Sequence, residues 1–152
     1  LKDRNVKSLL MVDDDRLDYS TMKRIIDDLP GECTVASELD NELFREKAFS
    51  CDASITYCDL GIEESGSLVV FHRPGAPRLA SIAPKVHVAV VHAGSIISNI
   101  GGLVTRLTGN TLPSACTIIS GVSRTADINL NVTLGMHGPM DMAVVIIGGM
   151  KE

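Results

Sequence analysis

Apolar residues fall in short blocks separated by polar, glycine-containing punctuation. Residues 7–12, Lys-Ser-Leu-Leu-Met-Val, form an apolar run closed by Asp13, Asp14 and Asp15, which predicts a strand followed by polar residues. Tyr19, Met22, Ile25, Ile26 and Leu29 then recur on one helical face. Asp18 or Ser20 can cap that helix, and Pro30-Gly31 stops it. Residues 33–36 read as a weak second strand. Residues 41–49 read as a helix, with Leu43, Phe44, Lys47 and Ala48 at helical spacing.

The pattern changes after residue 53. Residues 53–58 and 67–72 are strand-like, with a polar, glycine-containing turn over 59–66 between them. A tight turn between two strands predicts an antiparallel hairpin. Residues 74–77 end it, and 78–83 fit one or two helical turns. Residues 86–91 are continuously apolar, which suits a central strand covered on both faces. Residues 95–107 form a helix candidate weakened by Gly101-Gly102. Strands over 115–119 and 142–147 follow, the last ended by Gly148-Gly149. Strands alternating with helices predict an α/β sandwich with helices covering a mainly parallel sheet.

A length of 152 residues suits one domain, and 45% hydrophobic against 22% charged residues supports a packed core rather than disorder. No apolar run reaches the roughly 20 residues that span a bilayer. The net charge of -5, the lack of any Lys/Arg block and the absence of Trp argue against nucleic acid as a partner. Cys33, Cys51, Cys58 and Cys116 show neither C-x-x-C pairing nor iron–sulfur or zinc-finger spacing, and read as free thiols in a reducing cytosol. A first residue of Leu rather than Met leads to the expectation of a fragment or of the ordered part of a longer chain.

Three stretches carry candidate chemistry. In "ISGVSRTADI", residues 119–128, Gly121 lets the backbone approach a ligand, Ser123 and Thr125 offer hydroxyls, and Arg124 offers a planar fork for carboxylate or phosphate. If Ser123 or Thr125 caps a following helix, free N–H groups add to an anion site. The bland alternative pairs Arg124 with Asp127 and leaves Thr125 a simple cap. In "GIEESGSLVV", residues 61–70, a glutamate at the turn could serve as base or carboxylate nucleophile, or the turn is only a solvated acidic tip. In "GMHGP", residues 135–139, His137 is held between glycines, either to meet a substrate or to bond a nearby backbone group. His72, His87 and His92 lie in or beside apolar strands without acidic partners at fixed spacing, and read as structural.

Taken in order, "ITYCDLGIEESGSLVV", "PKVHVAVV", "IISGVSRTADI" and "LGMHGPMDMAVVII" resemble the LUD domain of the LutC/YkgG family of lactate-utilization proteins. The resemblance covers residues 53–149 well and the first third only by element order. Gly61, Ile62, Glu64, Gly66 and Leu68 match the family pattern. So do Ser120, Gly121, Ser123, Arg124, Thr125, Ala126, Asp127 and Ile128, and then Gly135, His137, Gly138 and Pro139. Glu63, Ser65, Ser67, Val122, Asn129 and Met136 depart from it. Val122 stands where the family has proline and frees a backbone N–H in the turn that aims Arg124.

The resemblance implies a NagB/RpiA/CoA-transferase-like fold, a three-layer α/β/α sandwich, with residues 1–152 as a single LUD domain that lacks an N-terminal helical segment of full-length members. It implies a cytoplasmic, non-iron–sulfur subunit or accessory protein of bacterial L-lactate oxidation to pyruvate. Its partners would be iron–sulfur proteins of the LutA and LutB type, and no cofactor of its own is expected. The implied cleft takes a small carboxylate or phosphate-bearing ligand at Gly61, Ser65, Gly66, Ser120, Gly121, Ser123, Arg124, Thr125, Asp127 and Gly138. Glu64 and His137 are the candidate catalytic groups. A CoA-transferase-like or other small-molecule enzyme using Glu64 is the alternative, and a scaffold whose glycine motifs only build turns is a third reading.

Overall fold

The computed structural model describes residues 5–17, 31–72, 78–108, 112–122, 124–126, 132–135 and 137–148. The helix expected around residues 18–29 lies outside them. A five-stranded central sheet contains β1 (Ser8–Met11), β2 (Glu32–Val35), β3 (Ala53–Cys58), β6 (Val86–His92) and β11 (Asp141–Ile147), in the order β11-β6-β3-β1-β2. All its pairings are parallel. Helix α1 (Asn41–Ser50) links β2 to β3, and the short α2 (Leu79–Ile82) precedes β6. The chain is therefore an α/β fold built on a parallel central sheet with flanking helices.

Side chains of a strand alternate between faces, and β1 shows the consequence. Leu9 and Met11 join Ile55, Tyr57, Val88 and Val90 in a cluster on one face. Leu10 and Val12 face the other way, against Phe44 and Ala48 of α1 and Ala80 of α2. Helix α1 starts where the Asp40 carboxylate accepts the Leu43 N–H at 2.8 Å, an N-cap that satisfies one of the helix's unpaired donors. Residues 86–91 of β6 are all buried and paired on both sides, as their unbroken apolar run predicts.

The hairpin differs from expectation. A second, four-stranded sheet runs β7 (Ile96–Ile97), β4 (Leu60–Ile62), β5 (Ser67–His72), β8 (Ala115–Ile119). Residues 60–62, read as part of a turn, are a strand, and β4 rather than β3 is the antiparallel partner of β5. The turn proper is residues 63–66. The chain changes sheets at Asp59, a polar residue inside an otherwise apolar run. The helix expected over 95–107 is also shortened. Residues Ala93–Ser95 form a 3-10 turn, β7 follows, and α3 covers Ile100–Thr108. Gly102 lets α3 sit close on β7, where a Cβ would come within 3.3 Å of Ile97.

Leu68 and Val70 of β5 pack on Cys58, Ala89 and Val91 of the central sheet. Leu60, Ile62 and Val69 face outward under Leu103 of α3. His72 Nε2 lies 2.7 Å from Thr117 Oγ1, and His87 Nε2 lies 2.8 Å from Thr56 Oγ1, while the buried His87 Nδ1 has no hydrogen-bond partner among the described residues. Ser54 Oγ donates to the Ala80 carbonyl. Cys33, Cys51, Cys58 and Cys116 are free.

Candidate functional site

The "EESG" turn is held from its backbone. Glu63 N–H donates to Ile97 O at 2.9 Å, Glu64 N–H to Ser98 O at 3.0 Å, and Gly66 N–H to Glu63 O at 3.3 Å. The first two bonds continue the β4–β7 ladder, the third closes the turn, and the Glu64 side chain is exposed at the tip. Gly66 has φ +63, a left-handed conformation that glycine adopts without strain, and open space where a Cβ would be. Gly61 lies on β4, where a Cβ would come within 3.3 Å of Ile96.

Two of the sequence stretches meet through hydroxyls. Ser65 Oγ donates to Ser67 Oγ at 2.8 Å, and Ser67 Oγ lies 2.8 Å from Ser120 Oγ. The cause is strand register. Ser67 opens β5, Ser120 follows β8, and Leu68 pairs with Ile119 in the antiparallel ladder between them. Ser67 is 3% exposed, whereas Ser65 and Ser120 reach the surface. Gly121 follows at once, with φ +125 and no neighbour within 4 Å of the place a Cβ would take. Three hydroxyls carry three protons and the two bonds use two; with Ser67 donating to Ser120, the Ser120 O–H is left to donate outward. Ser67 was not among the residues singled out for the site. The available signal was its placement directly after Gly66, where the turn ends and β5 begins.

Beyond Gly121 the helix that Ser123 or Thr125 would cap does not follow. Residues Arg124–Ala126 form β9, antiparallel to β10 (Val132–Leu134), with Arg124 opposite Leu134 and Thr125 opposite Thr133. A strand has no cluster of free N–H groups at its start, so a helix-terminus anion site at Thr125 does not form. Arg124 is exposed. Ser123 and Asp127 lie outside the described residues. His137 is exposed and Gly138 half-buried in the turn entering β11. That turn is pinned at the amino end of the central sheet, where Met140 N–H and Asp141 N–H donate to Lys85 O at 2.8 and 3.1 Å.

A second polar cluster went unread in the sequence. Arg16 binds Asp14 through Nε and Nη2, each at 2.6 Å, and Asp59 through Nη1 at 2.7 Å. It also lies 4.1 Å from the centroid of the Tyr57 ring. Burial disfavours the guanidinium charge, but the bonds to Asp14 and Asp59 outweigh it and the pKa is raised. Burial also pushes the Cys58 thiol up to about 12 and His87 down to about 4. Among the described residues no group of three or more His, Cys, Asp or Glu is placed to hold a metal ion.

Comparison with known proteins decides the family. The LUD domain model matches residues 7–147. The chain belongs to the LUD domain family. Among similar curated proteins, Lactate utilization protein C of Halalkalibacterium halodurans is 26% identical over 152 residues, covering 97% of this chain and 65% of that protein. Lactate utilization protein C of Bacillus subtilis is 28% identical over 138 residues, covering 86% and 58%. An uncharacterized Neisseria meningitidis protein is 31% identical over 116 residues, covering 74% and 50%. This LUD domain thus spans less than two thirds of the length of these relatives. A crystal structure of a DUF162 family protein from Deinococcus radiodurans has the same fold, with a TM-score of 0.57 at 17% identity, covering 91% of this chain and 74% of that one. No helix among the described residues is long and apolar enough to cross a membrane.

Proposed function

We propose that this LUD domain acts as a cytoplasmic, non-iron–sulfur subunit or accessory protein in L-lactate oxidation to pyruvate. Its partners in this reading are iron–sulfur proteins of the LutA and LutB type, and its fold is of the NagB/RpiA/CoA-transferase kind over residues 1–152. The ligand is a small carboxylate or phosphate-bearing molecule. The observation that carries the reading is the Ser65–Ser67–Ser120 hydroxyl chain, which joins two separate family motifs beside Gly66 and Gly121. Its spare donor suits a ligand oxygen, and Arg124, four residues past Ser120, supplies the countercharge.

The test is a thermal-shift screen of the chain with lactate, pyruvate, CoA esters, nucleotides and phosphate, repeated with Arg124→Ala. A ligand at 100 times its Kd stabilises by about 2.7 kcal/mol. A shift lost in the variant supports the anion site and names its ligand. No shift with any of them rejects it. Omission of this chain from a lactate-oxidising complex should abolish or reduce turnover; equal activity without it rejects the subunit role. The accessibility of Glu64 beside Gly66 keeps one other reading in view, a CoA-transferase-like enzyme with Glu64 as nucleophile. A hydroxylamine-sensitive CoA adduct absent from Glu64→Gln would favour that enzyme.

A further inference from the structure

Asp59 is the single residue between β3 of the central sheet and β4 of the second sheet. It is 8% exposed, and both carboxylate oxygens are engaged. Oδ1 accepts from Arg16 Nη1 at 2.7 Å, and Oδ2 accepts the Phe71 backbone N–H at 2.7 Å. Its own N–H donates to Val69 O at 2.8 Å. The β4–β5 ladder ends at the Leu60–Val69 pair, so Phe71 lies two residues past the last rung. There the β4 backbone has turned toward the central sheet, and the Asp59 side chain supplies the acceptor in its place. Arg16 belongs to the loop after β1, is gripped by Asp14 through two bonds, and lies over Tyr57 of β3. The central sheet therefore holds Asp59 from one side while β5 holds it from the other.

We infer that Asp59 is a positioning residue, which with Arg16 fixes how the second sheet sits on the central sheet. This rests on the ligand reading above, because the candidate groups are divided between those two bodies. Ser65, Ser67 and Ser120 ride on the second sheet. The turn bearing His137 and Gly138 is pinned to the central sheet through Lys85. Apolar packing between the sheets resists separation but is weakly directional. A buried carboxylate with two charge-assisted or backbone bonds of fixed direction sets the angle.

The experiment compares amide spectra and hydrogen exchange of the wild type, Asp59→Asn, Asp59→Ala, Arg16→Met and a central-sheet control, Ile55→Val. Asp59→Asn keeps an acceptor for Phe71 but loses the ion pair; Asp59→Ala loses both. Expected are displaced resonances of Gly66, Ser67 and Gly121 in both Asp59 variants and in Arg16→Met, with Gly138, at the amino end of the central sheet, left in place. Phe71 amide exchange should rise at least tenfold in Asp59→Ala. Ile55→Val should leave all of these in place. Wild-type resonances and unchanged Phe71 protection in the folded Asp59 and Arg16 variants would overturn the inference, as would equal displacement in the control. Titration with inorganic phosphate then separates the two ideas. A Kd raised at least tenfold in Asp59→Ala supports both. Displaced resonances in a protein whose wild type binds no phosphate support the positioning role and count against the anion site.

Discussion

The two sheets solve different problems with the same chain. In the central sheet β3 is buried at all six positions and β6 at all but its last, and every pairing is parallel. In the second sheet β4 and β5 are buried as well, but the edge strand β8 alternates half-buried with exposed residues and, among the described residues, pairs with β5 alone. The first is a scaffold whose geometry follows from apolar burial. The second carries hydroxyls, a left-handed glycine and an exposed turn, features that add little to a core but can meet a ligand.

The largest expected break in that comparison is a pair of truncations. Ile55→Ala removes a fully buried side chain from β3 and should cost about 3 to 4 kcal/mol, with Ile118→Ala on β8, 45% exposed, costing under about 1 kcal/mol. Urea midpoints measure both. Equal losses would mean that the second sheet is as much a core as the first.

Acid should attack the scaffold before the site. His87 is fully buried, and its pKa is lowered from 6.5 to about 4 by burial. The unfolded chain therefore binds this proton first. The stability tied to neutral His87 is complete above about pH 6.5 and is lost as pH falls toward 4, about 3 kcal/mol in all. The double variant His87→Leu, Thr56→Val should flatten the melting-temperature profile between pH 6.5 and 4. An unchanged profile would remove His87 as the cause.

Smaller effects sharpen the contrast on the other sheet. Ser67→Ala breaks two hydroxyl bonds and should cost about 1 to 2 kcal/mol by denaturant unfolding, while releasing Ser65 and Ser120 from one another. A larger loss of ligand affinity than of stability is expected if the chain is a binding element. Gly66→Ala, at φ +63 with free space around it, should cost about 1 kcal/mol from backbone strain alone. Gly66→Asn should cost less, because Asn tolerates that conformation. A collapse of the fold in either variant would contradict the picture of a turn added to a scaffold.

Local pattern and distant pairing divide what can be read from what must be seen. The strands β1, β3, β5, β6, β8 and β11 were visible as apolar blocks because burial acts residue by residue. The family resemblance lay in the glycine motifs and their polar neighbours. Ser65 and Ser120 were named from it, and the structure joins them through Ser67. Three elements misled. The short strand β4 looked like a turn because three residues carry too little periodicity. The start of α3 was misplaced because residues 96–97 pair with β4, a contact 35 residues away. The segment after Gly121 became a strand because β10 pairs with it.

Composition and pattern by themselves determined an α/β fold around a parallel sheet and the identity of the glycine-rich turns, whose motifs carried the resemblance to the LUD domain family. Each rests on short-range chemistry: side-chain burial, backbone preference and local spacing. Tertiary structure alone decided which strand pairs with β5, that Ser67 joins Ser65 to Ser120, and that Asp59 meets Arg16. The Ser67–Ser120 contact spans 53 positions and the Arg16–Asp59 pair spans 43. Hydrogen bonds act over about 3 Å in space and are indifferent to distance along the chain, so sheet register, not sequence, selects those partners.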